Sequence, residues 1–211
     1  EIRRRDWSSD VCSSDLIYEG TNEINRMLSV GMLVKKAMKG HVDLLGPASE
    51  VQAELMGIPS FETPDYSELF AEEKEMIGKL KKAFLMVAGG AVQKYGPDLD
   101  GHQQLLMAAA DILIEIYMAE STILRTEKLA KTKGEAAVKE QIAMAQLYLY
   151  KAVDIITQKG KEGIVSFAEG DEQRMMLMGL RRYTKYTNMP NVIGLREIIT
   201  SKLVAENAYC F

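Results

Sequence analysis

The chain has few of the residues that define several common protein classes. Two cysteines among 211 residues exclude a disulfide-stapled scaffold. The two histidines, His41 and His102, lie far apart without metal-ligand spacing, so we predict surface or helix-end residues and no metal site. Lys and Arg number 26 against 30 Asp and Glu, which argues against a nucleic-acid-binding face. The longest apolar run, 105–119, is broken by Asp111 and Glu115, so we predict no membrane-spanning helix.

The first sixteen residues differ in composition from everything that follows. They lack helical or strand periodicity, and they hold the only tryptophan, Trp7, and one of the two cysteines, Cys12. Reverse translation of residues 6–16 resembles a common sequencing-library adapter. We therefore predict that residues 1–16 are an unstructured, adapter-derived artefact that is excluded from fold reasoning. The alternative is a natural polar N-terminal loop.

What remains, residues 17–211, is dominated by helical periodicity. Strand signals are nearly absent, and short loops between long helices imply antiparallel neighbours. We predict an all-α fold, an up-and-down antiparallel helical bundle. Gly160 and Gly163 are expected to interrupt the fourth long helix, and Gly89-Gly90 is expected to mark close helix packing. The predicted helices are 22–39, 47–56, 67–95, 100–131, a fourth long helix opened by Gly134, 171–186 and 192–205.

The stretch 17–27, IYEGTNEINRM, is the most informative for chemistry. Glu19 follows an apolar pair, and an apolar environment raises the pKa of a carboxyl group toward the range of a general base. Gly20 lets a ligand approach the backbone closely. Thr21, Asn22 and Glu23 then open a helix whose free N–H groups favour a polar or anionic ligand. A plain glycine turn into a helix is the other interpretation of the same residues.

This stretch resembles the C-terminal active-site signature of acyl-CoA dehydrogenases. The resemblance implies that Glu19 is the base that removes the α-proton of an acyl-CoA thioester, while FAD takes a hydride from the β-carbon. It also implies that Gly20 borders the thioester and that Thr21, Asn22 and Glu23 lie at the FAD. The implied substrate class is fatty acyl-CoA, in β-oxidation.

About 170 residues follow the helix after this motif. That extension resembles the extra helical C-terminal domain of the very-long-chain branch, whose chain end also carries aromatics, as Tyr209 and Phe211 do here. The resemblance implies a homodimer, an electron-transfer flavoprotein as acceptor, and dimer support or peripheral membrane contact for the extension. The implied domains are 17–45, the end of the catalytic helical domain; 46–66, a linker with a short helix; and 67–211, a C-terminal bundle.

A non-catalytic helical module for dimerisation or for docking to a membrane surface or partner is the alternative function. Arg181, Arg182 and Lys185 are consistent with contact to acidic lipid headgroups or with a solvated helix face. Cys210 has no neighbouring histidine, so we predict no reactive role. The chain on its own is expected to be inactive, and the cytoplasm is the default location for a bacterial source. Three methionines are interpreted as either an adaptable groove or ordinary core: Met175, Met176 and Met178.

Overall fold

The computed structural model describes residues 21–57 and 66–211, so the predictions for residues 1–16 and for Glu19 and Gly20 lie outside it. The described residues contain no strand, which confirms the all-α prediction. Two short 3₁₀ segments, Gly96–Gly101 and Glu135–Val138, join longer helices. The α-helices are α1 (Asn22–Met38), α2 (Leu45–Met56), α3 (Ala71–Tyr95), α4 (Gln103–Lys133), α5 (Lys139–Phe167), α6 (Gly170–Tyr183) and α7 (Val192–Glu206).

Helices α3 to α6 form an up-and-down four-helix bundle, as the periodicity predicts. Polar contacts between neighbouring helices join residues whose numbers rise on one helix as they fall on the other, the mark of antiparallel packing. The contacts are Lys74–Glu127 (2.9 Å) and Lys81–Glu120 (2.6 Å) between α3 and α4, and Tyr148–Glu115 (3.0 Å) and Lys159–Asp111 (4.0 Å) between α4 and α5.

The core of this bundle is built from the apolar stripes visible in the sequence. Each stripe recurs every three or four residues, so its members share one helix face and turn it inward. Burying one such aliphatic side chain fully contributes about 1.5–3 kcal/mol. Side chains with no more than 1% of their surface exposed include Leu80, Val87, Ile112, Ile123, Leu149, Ile156 and Ile164.

The prediction that glycines break the fourth long helix is wrong. Helix α5 runs without interruption through Gly160 and Gly163. A Cβ atom at Gly160 would lie 2.7 Å from the Cδ1 atom of Leu180, and one at Gly163 would lie 3.0 Å from a methyl group of Val87. These glycines therefore admit side chains of α6 and α3 against the α5 backbone. Gly90 does the same for the Phe167 ring, as the prediction of close packing at Gly89-Gly90 requires.

Helix boundaries differ from the predictions where local backbone geometry intervenes. Helix α3 begins at Ala71 rather than residue 67, because Phe70 takes a left-handed conformation (φ 63°) while its ring is buried. The 3₁₀ segment after α3 delays the start of α4 to Gln103. Helix α6 ends at Tyr183, three residues earlier than predicted.

Three helices lie against the outside of the bundle. Helix α1 packs on α4, and α7 packs on α5. Helix α2 is held by Glu54, whose carboxylate accepts hydrogen bonds from Lys82 of α3 (2.6 Å) and Arg182 of α6 (2.8 Å).

Candidate active site

The start of α1 carries three of the five predicted site residues. Thr21 is its N-cap: the backbone is extended (φ −68°, ψ 154°), and the side-chain oxygen accepts a hydrogen bond from the N–H of Ile24 at 3.4 Å. The carbonyl oxygen of Thr21 accepts from the N–H of Asn25 at 3.1 Å. The predicted helix start is therefore confirmed at the residue expected to cap it.

Asn22 and Glu23 occupy the exposed first turn of α1. Backbone N–H groups in a first turn have no acceptor within the helix, and the helix dipole makes this end electropositive. The turn thus offers backbone donors and two polar side chains on one accessible surface. That combination suits a ligand with oxygen acceptors.

Helix α1 is fixed to the bundle by one charged cluster and an apolar face. Arg26 lies 3.4 Å from Asp111 of α4, and Lys159 of α5 lies 4.0 Å from the same carboxylate. Val30 and Ala37 are buried on the same side of α1. These contacts hold α1, and with it the first turn, against the bundle, as positioning a ligand group requires.

The remaining candidate residues have structural surroundings. His41 is exposed after the end of α1, and His102 stacks on the Tyr95 ring at the N-cap of α4, as expected for helix-end residues. Cys210 is a free thiol. Within the described residues, no cluster of His, Cys, Asp or Glu side chains has the make-up of a metal site. None of the helices described there is long and apolar enough to cross a membrane.

The basic cluster on α6 is partly committed to internal contacts. Arg182 donates to Glu54 and lies 5.1 Å from the centre of the Tyr183 ring, and Tyr183 is itself buried. Arg181 and Lys185 are exposed. Of the three cations predicted to contact lipid or solvent, Arg182 thus holds α2 against the bundle.

A cavity of about 440 Å³ lies between α1, α2, α3 and α6. Its walls are mainly apolar, with Val34 on α1, Leu55 on α2 and Phe84 on α3. Met175 and Met176 contribute to it, whereas Met178 is exposed to solvent. No periodicity could have predicted this space, since it depends on how four separate helices meet.

Comparison with known proteins shows what this helical arrangement is similar to. Residues 79–182 match the family model described as "Acyl-CoA dehydrogenase, C-terminal domain". A "Probable acyl-CoA dehydrogenase" of Bacillus subtilis (strain 168) is 38% identical over 190 residues, which is 90% of this chain and 32% of that protein. The crystal structure of an acyl-CoA dehydrogenase complexed with FAD from Bacillus anthracis superposes with a TM-score of 0.85 at 38% identity, covering 94% of this chain and 33% of that one.

Residues 79–182 form an acyl-CoA dehydrogenase C-terminal domain. This range runs from the first third of α3 almost to the end of α6, so the acyl-CoA dehydrogenase domain coincides with the four-helix bundle. The predicted active-site motif, residues 17–27, lies upstream of this range. The chain spans about a third of the length of the acyl-CoA dehydrogenases that it matches.

Proposed function

We propose that the chain is the C-terminal part of a flavin-dependent acyl-CoA dehydrogenase that oxidises fatty acyl-CoA across the α,β bond in β-oxidation. The observation that carries the proposal is the 38% identity and TM-score of 0.85 to an acyl-CoA dehydrogenase in complex with FAD. Because the chain spans about a third of that enzyme, it supplies one part of the site and is inactive alone.

In this proposal Glu19 is the base. Its carboxylate accepts the α-proton of the acyl-CoA thioester, and Gly20 lets the thioester approach the backbone. FAD, when bound, supplies the acceptor for the hydride that leaves the β-carbon. Thr21, Asn22 and Glu23 lie beside the FAD, and the exposed first turn of α1 supports that role because the backbone N–H groups of Asn22 and Glu23 have no acceptor within the helix.

The domain organisation follows from the same proposal. Residues 17–45 end the catalytic helical domain, 46–66 form a linker with a short helix, and 67–211 form the C-terminal bundle of the very-long-chain branch. The parent enzyme is a homodimer that passes electrons to an electron-transfer flavoprotein, with peripheral membrane contact as a role for the extension. Residues 1–16 are an adapter-derived artefact.

The decisive experiment replaces Glu19 in the intact parent enzyme, produced from an unbroken copy of the gene. Glu19→Gln keeps the side-chain shape but cannot accept the α-proton, so flavin bleaching by acyl-CoA without oxygen should slow by at least about 10²- to 10⁴-fold. Glu19→Asp keeps the carboxylate but shortens the side chain by one methylene, so the bleaching rate should fall by about 10²-fold. Stopped-flow absorbance measures the rate, and flavin content checks that FAD stays bound.

A matched control separates loss of the base from loss of one negative charge. Glu50 is exposed on α2, outside the proposed site, so Glu50→Gln should bleach at the wild-type rate. If Glu19→Gln also bleaches at that rate, the base is a different residue and the assignment of Glu19 fails. A parent protein without bound flavin would refute the enzymatic function and favour the non-catalytic module.

A further inference from the structure

The cavity between α1, α2, α3 and α6 is elongated and reaches solvent. Met38, at the end of α1, and Met56, at the end of α2, both line it, and 73% of each residue is exposed. The α3 wall runs for about 14 Å, from Phe84 to Gln93, which an extended chain of about ten carbons spans. The volume of about 440 Å³ lies within the range of small-molecule sites. The cavity is therefore large enough and open enough to take up a small apolar molecule.

Methionine is the most frequent residue type in the walls of this cavity. The chain has 13 methionines, and those that line the cavity come from all four helices. A methionine side chain is unbranched and changes rotamer readily, so a methionine-rich wall adapts to the shape of a flexible ligand. Such walls suit an aliphatic chain. The methionines are Met38, Met56, Met86, Met175 and Met176.

The contacts between α3 and α6 give the direction in which the two helices run along the cavity. A Cβ atom at Gly179 of α6 would lie 3.1 Å from the sulfur of Met86 on α3. A Cβ atom at Gly90 of α3 would lie 3.0 Å from the terminal methyl carbon of Met176 on α6. Residue numbers thus rise on α3 as they fall on α6, so the two helices are antiparallel here.

The two ends of the cavity differ in polarity. One turn beyond these contacts, α3 carries Gln93 and α6 carries Glu172, so the antiparallel register puts an amide and a carboxylate at the same end. Glu172 is the one charged residue among the described residues that line the cavity. Toward the other end, Lys82 and Arg182 are already bonded to Glu54 at 2.6 Å and 2.8 Å. The polar end thus suits a hydrogen-bond donor and disfavours an anion.

We propose that this cavity binds an uncharged aliphatic alcohol of about ten carbons. The hydroxyl group donates to Glu172 or to the side-chain oxygen of Gln93, and the chain lies along the methionines. Few polar groups at one end of an apolar cavity are the usual means by which a protein orients such a ligand. The described residues of the predicted acyl-CoA site, Thr21, Asn22 and Glu23, do not line the cavity. The inference therefore does not depend on the proposed function.

The first test fills the cavity and measures binding of decanol. Decanol should displace the uncharged dye Nile red from the 211-residue chain at one molecule per chain. Ala88 lines the cavity from α3, so Ala88→Leu should weaken this binding by at least about tenfold. Ala53→Leu is the matched control, since Ala53 is exposed on α2 and does not line the cavity. In the intact parent enzyme, Ala88→Leu should bind one decanol fewer per chain than wild type.

The second test reverses the charge at the polar end. Wild type should bind decanoate more weakly than decanol, because the carboxylate would face Glu172. Glu172→Lys should tighten decanoate binding by about three- to fivefold, as expected for an exposed ion pair. Asp171→Lys makes the same charge change at the neighbouring residue, whose side chain is 97% exposed and does not line the cavity. This control should leave decanoate binding unchanged.

Three results would overturn the proposal. The first is a folded Ala88→Leu chain that binds decanol as tightly as wild type, which would place the ligand elsewhere. The second is wild type that binds decanoate as tightly as decanol and does not respond to Glu172→Lys. The third is a parent enzyme in which wild type and Ala88→Leu bind the same number of decanol molecules, which would mean that the cavity takes up no ligand there. If Ala88→Leu fails to fold, the charge reversal at the exposed residue 172 decides.

Discussion

The four-helix bundle and helix α1 bury their apolar residues to very different extents. In the bundle, each long helix turns its apolar stripe onto its neighbours, and many of those side chains are completely buried. Helix α1 has a comparable share of apolar residues, but it buries one face and leaves Ile24, Leu28 and Met32 exposed on the other. The family match falls on the bundle, whereas the predicted site residues Thr21, Asn22 and Glu23 lie at the start of α1. The difference predicts that α1 contributes less than the bundle helices to the stability of the 211-residue chain.

The largest test of this difference compares the same substitution in both regions. Leu80 on α3 is fully buried and Leu28 on α1 is 54% exposed. Leu80→Ala should lower the free energy of unfolding of the 211-residue chain by about 2–5 kcal/mol, through lost burial and the cavity it leaves. Leu28→Ala should change it by less than about 0.5 kcal/mol. Urea unfolding followed by circular dichroism measures both, and equal losses would show that α1 packs as tightly as the bundle.

The sequence predicts the bundle well because its periodicity and its packing carry the same information. The inward stripes of α4, from Leu105 to Ile123, are both the helical signal and the core. The glycines of α5 wrongly predict a helix break because helix propensity describes an isolated helix. In the folded chain, Leu180 of α6 occupies the space that a side chain at residue 160 would need. The four-helix cavity is also a property of tertiary packing. The exposed stripe of α1 has the same sequence pattern as a core stripe, because periodicity gives the apolar face of a helix and not whether that face is buried.

Replacing a glycine by alanine should have opposite effects on stability at two positions, Gly160 inside α5 and Gly78 inside α3, and the expected effects are of intermediate size. In Gly160→Ala the new methyl group would meet Leu180, and overpacking costs about 1–3 kcal/mol against a gain of about 1 kcal/mol in helix propensity. We expect a net loss of about 1 kcal/mol. Gly78 lies inside α3 with open space around a Cβ atom, so Gly78→Ala should stabilise by up to about 1 kcal/mol. When Leu180→Ala is already present, Gly160→Ala should lose most of its overpacking cost. If the cost is unchanged, the contact between α5 and α6 is not its cause.

The smallest expected effect concerns a polar contact inside the bundle and appears only at high pH. The Tyr148 hydroxyl of α5 donates to Glu115 of α4 at 3.0 Å. Partial burial, and then this hydrogen bond, raise the pKa of Tyr148 to about 12 from its ordinary value of 10.0. The unfolded chain therefore loses this proton first, so the contribution is complete below about pH 10 and is lost as the pH rises toward 12.

Tyr148→Phe removes this source of alkaline sensitivity from the bundle. Urea unfolding at pH 9, 10 and 11 should show a shallower decline in stability for the variant than for wild type, by less than about 1 kcal/mol, because the pair is partly solvent-screened. Burial also raises the pKa of Tyr186, so a decline of the same sign should persist in the variant. Tyr209→Phe is the control, since that ring is 85% exposed at the chain end and should leave the slope unchanged. An unchanged slope for Tyr148→Phe would mean that this hydrogen bond opens readily. The bundle and α1 would then differ less in how tightly they pack than the burial of their apolar side chains suggests.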